Sequence, residues 1–195
     1  MNIEKLRKNL ESKGYRTTYF ETAQEAASYL NEEIDQVTVG MGGSVTIQEM
    51  GMYDSLSAHN TVHWHWAGGT VDAAAQAKVY LSSVNGIAET GEIINIDGNG
   101  NRIASMTYGH EKVYVIVGVN KITSNYDAAI WRARNIAAPQ NAKRLGVGTP
   151  CAERGDRCYD CDHPQRICKA LSVFWMKPGM AGDMEVVIVN QHLGY

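Results

Sequence analysis

Four cysteines carry the most distinctive chemistry of this chain, and all of them lie beyond residue 150, as Cys151, Cys158, Cys161 and Cys168. Their spacing reads C-x6-C-x2-C-x6-C. Two residues between Cys158 and Cys161 let a tight turn aim both thiolates at one ion, and the outer cysteines can fold back to complete a tetrahedron. Arg154, Arg157, Arg166 and Lys169 lie close in sequence and favour thiolate over thiol. Two disulfides or four unconnected thiols are the alternatives, but scatter fits poorly with a chain that has no cysteine before this segment. Metal ligation is therefore expected, with the metal open. Structural zinc usually takes two short-spaced pairs, and here there is one, which leans toward an iron–sulfur cluster although the spacing is not a standard cluster signature.

A second constellation sits where a strand over Val37-Thr38-Val39 hands over to a helix, at Gly40-Met41-Gly42-Gly43-Ser44. Backbone N–H groups uncovered by side chains make an anion pocket there, or else the stretch is a tight turn without ligand. Gly42 and Gly43 expose the backbone, and Ser44 and Thr46 supply hydroxyls to a phosphate or carboxylate. Neither the dinucleotide fingerprint nor the P-loop is met, because the third glycine falls at Val45 and no Gly-Lys-Ser follows. The stretch from Asn85 to Arg102 adds polar groups. Asp97-x-Asn99-x-Asn101 imitates a calcium loop, but Arg102 stands where that loop needs glycine, so calcium is rejected. Asn85, Asn99 and Asn101 serve a turn or a ligand, and Arg102 at a helix start can clamp an anion bidentately. Glu89, at the tip of a hairpin, is a candidate nucleophile or base. In His63-Trp64-His65-Trp66 the alternation of a strand sends two indoles inward and two histidines to solvent, which is preferred over a metal or proton-transfer pair.

These residues need a scaffold, and the chain writes helices and strands in alternation. Ile3, Leu6 and Leu10 share a helical face that Gly14 ends, and Thr22 with Glu25 forms a capping box before a helix burying Ala26, Ala27, Leu30 and Ile34. Ser44 caps one helix with Ile47, Met50, Tyr53 and Leu56 inward. Val79 to Val84 is expected to pair with Glu92 to Ile96 across Glu89-Thr90-Gly91. Val113 to Val119 is apolar on both faces, the mark of a central parallel strand. A helix over 126–137 leads through Pro139 to a second short one, and strands near 171–175 and 185–189 close the sheet. The expected class is α/β, a mostly parallel sheet with helices on both faces, in a single domain over 1–195 carrying a cysteine-rich segment at 149–169.

Composition narrows the partners. Apolar residues make up 44% and the net charge is −3 with no lysine or arginine run, which argues against nucleic acid and against a polybasic membrane patch. The first residues lack a hydrophobic core segment and no stretch is long enough to span a bilayer, so a cytoplasmic protein is expected. In that reducing compartment structural disulfides are rare, which again favours ligation.

Several stretches together resemble the LUD-domain proteins, the lactate-utilisation family. They are Val39-Gly40-Met41-Gly42-Gly43-Ser44-Val45-Thr46, Trp64-His65-Trp66, Ile96-Asp97-Gly98-Asn99-Gly100-Asn101-Arg102, Val119-Asn120-Lys121-Ile122, Asn135 through Leu145, Thr149-Pro150-Cys151, Pro164-Gln165-Arg166-Ile167-Cys168 and Asn190-Gln191-His192-Leu193-Gly194-Tyr195. The blocks are collinear, and the chain is similar to the short branch with a cysteine segment. The resemblance implies a fold like that of sugar-phosphate isomerases and CoA transferases. It also implies one pocket rimmed by Gly42, Gly43, Ser44, Asn85, Glu89, Asn101, Arg102, Asn120 and Lys121, with Glu89 standing where transferases carry their glutamate. It further implies a place beside iron–sulfur redox proteins in bacterial lactate oxidation. Three functions follow as expectations: a metal- or iron–sulfur-bearing redox component, an enzyme acting on a small anionic metabolite (a sugar phosphate, carboxylate or CoA thioester), or a binding module stapled by zinc. A homo-oligomer is compatible with each.

Overall fold

A strand with no polar face must be covered on both sides, and the run at Val113–Val117 sets the architecture accordingly. The computed structural model describes all 195 residues. Its strands are β1 (Arg16–Phe20), β2 (Thr38–Met41), β3 (Thr61–Trp64), β4 (Val79–Ser82), β5 (Gly86–Ala88), β6 (Ile93–Asp97), β7 (Lys112–Gly118), β8 (Ile122–Thr123), β9 (Ala170–Phe174) and β10 (Asp183–Val189). Six of them form one sheet in the order β1-β10-β7-β4-β2-β3, with every neighbouring pair parallel. The other four form a mixed sheet, β8-β5-β6-β9.

The helices are α1 (Ile3–Ser12), α2 (Ala23–Glu33), α3 (Val45–Glu49), α4 (Met52–Ser57), α5 (Val71–Ala75), α6 (Asn101–Thr107), α7 (Tyr126–Arg132), α8 (Ala138–Arg144) and α9 (Pro150–Arg154). Alternation along β7 divides the core. Tyr114 and Ile116 face α2, α3 and α4 through Leu30, Ile47, Met52 and Leu56. Val113, Val115 and Val117 face Leu6 and Leu10 of α1 together with Ile87, Ile93 and Phe174 of the smaller sheet. The far side of that sheet, Ala88, Ile94 and Ile96, packs on Ala129, Ala133 and Ala138. No helix is long and apolar enough to cross a membrane.

The expected α/β class with a mostly parallel sheet and helices on both faces is the class observed, and several local expectations are corrected. The single helix after Ser44 is two, because Gly51 at φ +63° turns the chain between α3 and α4. Glu92–Ile96 pairs with β5 instead of the β4 region, so the hairpin belongs to the smaller sheet, as does the 171–175 strand. β1 was not anticipated. The 126–144 region stays helical throughout, with a wide π-turn at Ala133–Ala137 joining α7 to α8. Proline lacks the N–H for a helical bond and its ring crowds the preceding turn; the wide turn just before Pro139 accommodates that ring.

Close packing at the β2 edge gives a first prediction. A Cβ on Gly40 would overlap the Ala74 carbonyl oxygen, a backbone atom that cannot swing away. Gly40→Ala is expected to destabilise the fold by about 3 kcal/mol, measured by urea unfolding; a loss within error would show that β2 and α5 separate freely.

Candidate functional site

In parallel α/β sheets the crevice beyond the carboxyl ends of the strands is where loops can gather side chains. The main cavity here, about 400 Å³, lies at that edge. The β2 exit supplies Gly43, Ser44 and Thr46, the β3 exit His65 and Trp66, the β4 exit Ser83 and Asn85, and the segment after β7 supplies Lys121. The β6–α6 turn adds Asp97, Asn99, Asn101 and Arg102; α8 adds Asn141 and Arg144; the cysteine segment adds Arg166 and Lys169. Four cations, Arg102, Arg144, Arg166 and Lys169, and the amine of Lys121 thus line the cavity against a single acidic side chain, Asp97. Such an imbalance concentrates anions.

Each cation is set by its surroundings. Asp97 accepts from the backbone N–H of Arg102 at 2.9 Å and from its Nε at 3.3 Å, so one carboxylate starts α6 and fixes the guanidinium. Arg144 lies over the Trp66 ring at 4.6 Å and is braced by Asn141 Oδ1. The Gly43 and Ser44 amides donate to no acceptor within the protein and border the cavity. His65, although exposed, is held below its ordinary pKa, first by partial desolvation at the wall and then by the Arg102 charge.

Lys121 is buried at 4% exposure, and its Nζ donates to Thr46 Oγ1 and Ser83 Oγ, each at 2.8 Å. Burial, then the charges of Arg132 and Arg102, opposed by Glu49, lower its pKa from 10.5 to about 7. Arg132, donating to the Asn120 and Asn85 carbonyl oxygens, is itself lowered by burial to about 10. Between about 7 and 10.5 the unfolded chain holds a proton on Lys121 that the folded chain releases. Stability from this residue therefore rises with pH across that window and is lost as pH falls toward its lower end. Lys121→Met is expected to flatten the rise, read from unfolding free energies of both proteins at the two ends of the window; parallel curves would sink the assignment.

The structure gathers Gly43, Ser44, Thr46, Asn85, Asn99, Asn101, Arg102 and Lys121 from the expected set around one cavity, and three expected rim residues stand elsewhere. Gly42 lies behind the wall, its N–H donating to the Leu81 carbonyl and its own carbonyl accepting from Trp64 Nε1. A Cβ there would come within 2.8 Å of Arg102 Cγ, so Gly42 makes room for the arginine instead of offering its amide. Asn120 clamps the last residues through bonds with Leu193 and Gly194. Glu89 faces α1, where it accepts from Asn2 N at 2.7 Å and pairs with Lys5 Nζ at 3.4 Å. The Asn2 N–H, then Lys5, hold its carboxyl below the usual range. His65, Trp66, Ser83, Arg144 and Arg166 were not anticipated as wall residues. Strand β3 ends at Trp64, so His65 and Trp66 both border the cavity, yet the expected division holds: Trp64 is buried and Trp66 packs on the same core, while His63 is partly exposed and His65 exposed.

The four cysteines, all free, line one small void of about 20 Å³ next to the main cavity. The turn between Cys158 and Cys161 is made by Asp160 at φ +47°, whose N–H points to Cys158 Sγ at 3.3 Å. Arg134 Nη2 ion-pairs with Asp160 at 2.9 Å, and the Cys158 N–H donates to Asn135 Oδ1, so the π-turn holds this loop. Arg166 Nε donates to Cys168 Sγ at 3.2 Å and its Nη1 to the Cys161 carbonyl, the Cys168 contact raising its own pKa further. No three histidine, cysteine or acidic side chains stand in place to hold a single ion.

The arrangement defines an α/β protein with a cation-walled cavity at the carboxyl ends of its strands and a four-cysteine loop against that wall. Its sequence matches the family model described as the LUD domain over residues 3–189, and the chain belongs to that family, which is associated with lactate utilisation. Among solved structures it is similar to a DUF162 family protein of Deinococcus radiodurans, with 12% identity, 96% of this chain and 95% of that chain covered, and a TM-score of 0.54. That likeness concerns the fold. Ribose 5-phosphate isomerase A of Neisseria gonorrhoeae overlaps 52% of this chain and 53% of its own at 15% identity with a TM-score of 0.36, too partial to assign shared chemistry. Comparison with curated proteins gives no match.

Proposed function

We propose that this chain binds a small organic anion in the cavity and an iron–sulfur centre through Cys151, Cys158, Cys161 and Cys168, acting as a redox component or accessory of lactate-type metabolism. The observation that carries the reading is the position of Arg166, which lines both the cavity and the cysteine void and donates to Cys168 Sγ. What supports a thiolate-held centre is the donor type and its neighbours: four thiols line one void, a backbone N–H and a guanidinium point at two of their sulfurs, and ligation requires the cysteine side chains to re-aim from their present positions toward a common ion. When bound, such a centre supplies one-electron transfer. Arg102 and Arg144 take the acid group of the anion, the Gly43 and Ser44 amides add donors, and Trp66 covers one side against water. An electron-transfer role calls for a partner, and an iron–sulfur redox protein is the class proposed.

Anaerobic purification with iron, sulfide and zinc analysis tests the centre. Iron with labile sulfide and visible charge-transfer absorbance is expected; zinc alone would recast the loop as a structural staple, and neither metal would sink the proposal. Phosphate and oxalate, titrated separately, test the cavity. At a hundred times Kd a ligand adds about 2.7 kcal/mol, which for a chain of this size raises Tm by roughly 5–10 °C. A melting temperature indifferent to both anions would remove the cavity reading.

A further inference from the structure

Lys121 is the only lysine among the buried residues, and no carboxylate ion-pairs with it. Glu49, the acid with some influence on it, has its Oε2 against the Gly194 N–H at 2.7 Å. The charges nearest in effect are the guanidiniums of Arg132 and Arg102. A buried ammonium surrounded by like charges is costly, whereas a neutral amine suits two hydroxyl neighbours that can each donate or accept. Thr46, Ser83 and Lys121 all line the cavity, and the two hydroxyls that hold the amine therefore place it at the cavity wall.

We propose that Lys121 is a nucleophile that forms an imine with a small anionic aldehyde or ketone held in the cavity. The proposal rests on the cavity being an anion site and adds the reaction. Arginines of the same cavity, Arg102, Arg144 and Arg166, select the acid group, and the amine condenses with a carbonyl carbon, so the substrate class carries both. The Nζ lone pair forms the N–C bond while the carbonyl oxygen takes up a proton, giving a carbinolamine. Both amine hydrogens leave with that oxygen as water, and the C=N bond closes. Thr46 and Ser83 hold Nζ and are placed to pass the protons. A pKa near 7 leaves about half of the amine free at neutral pH, against roughly a thousandth or less for an ordinary lysine.

Glyoxylate with sodium cyanoborohydride gives a direct test on the full protein, because hydride from the reagent and a proton from water convert the imine to a stable secondary amine. Peptide mapping is expected to find Lys121 labelled about tenfold faster than any surface lysine, the advantage in free amine being offset by the lower nucleophilicity of a weak base. Phosphate should suppress that label and raise Tm, and Lys121→Arg, which has no nucleophilic amine, should lose it. Label confined to surface lysines, with phosphate still raising Tm, overturns the imine and leaves the anion site standing. Absence of both the label and the phosphate shift overturns the two together. Label on Lys121 that phosphate does not reduce overturns the placement of the carbonyl compound in this cavity. The wild-type mapping decides the matter even where the arginine variant fails to fold.

Discussion

Replacing Cys158 and Cys161 together by serine is expected to abolish binding of the proposed metal centre and to lower Tm by roughly 8–16 °C relative to metal-loaded protein. The figure follows from linkage: a metal held at about a thousand times its Kd contributes about 4 kcal/mol, and each kcal/mol moves a domain of this size by roughly 2–4 °C. The loop has little else to order it. Between the end of α9 at Arg154 and the start of β9 at Ala170 there is no helix or strand. Its ties include the Arg134–Asp160 ion pair at 2.9 Å, with Asp160 exposed, the Cys158 N–H to Asn135 Oδ1 at 3.3 Å, the Gly148 N–H to Gln165 Oε1 at 2.7 Å, the Arg166 bonds to the Cys161 and Cys168 carbonyl oxygens, and the Lys169 N–H to the Asp97 carbonyl at 3.0 Å. An exposed pair of that kind is worth under about 1 kcal/mol. Limited proteolysis should accordingly cut the double variant within this loop while the loaded parent resists. A variant that keeps stoichiometric metal, or melts with the parent, would show that these thiols do not hold the centre.

Where physical signals are local the sequence displays them. The capping box at Thr22 and Glu25, the Leu6 and Leu10 stripe, the doubly buried β7 and the clustering of cysteines each need only neighbours in sequence to be recognised. β1 escaped because Arg16-Thr17-Thr18-Tyr19-Phe20 is a short edge strand without an alternating apolar face; its partner β10 lies far along the chain. The glycine loop was legible as a place, but its division of labour was not. Which amide stays free depends on Leu81, and whether a Cβ fits depends on Arg102 and Tyr80. Arg144 and Arg166 carry no local mark as cavity residues. One reaches the wall because the π-turn carries the helix past Pro139, and the other because the cysteine loop docks on the β6–α6 turn, where a Cβ on Gly98 would stand 2.9 Å from the Ile167 carbonyl oxygen. Glu89 looked available because a hairpin tip is usually solvated; α1 covers it.

The same docking makes Arg102 the side chain whose loss should weaken anion binding most. Its guanidinium is nearly buried, at 14% side-chain exposure, against Asp97 at 7%. The carboxylate fixes the fork in place before any ligand arrives, so little ordering is left for binding to supply. Truncating one partner of a buried charge-assisted contact costs about 3 kcal/mol, so Arg102→Ala is expected to raise the phosphate Kd roughly a hundredfold. The variant should also lose stability, because Asp97 is left as a buried charge, but only by about 2 kcal/mol, since the Gly98, Arg102 and Ile103 amides still donate to it. Adding Asp97→Asn separates the two effects. Neutralising the abandoned carboxylate should restore much of the stability, measured by urea unfolding, and none of the affinity, measured by calorimetry. If the double variant binds phosphate as tightly as the parent, the cavity takes its anions without Arg102, and the electrostatic account of this wall must move to Arg144 and Arg166.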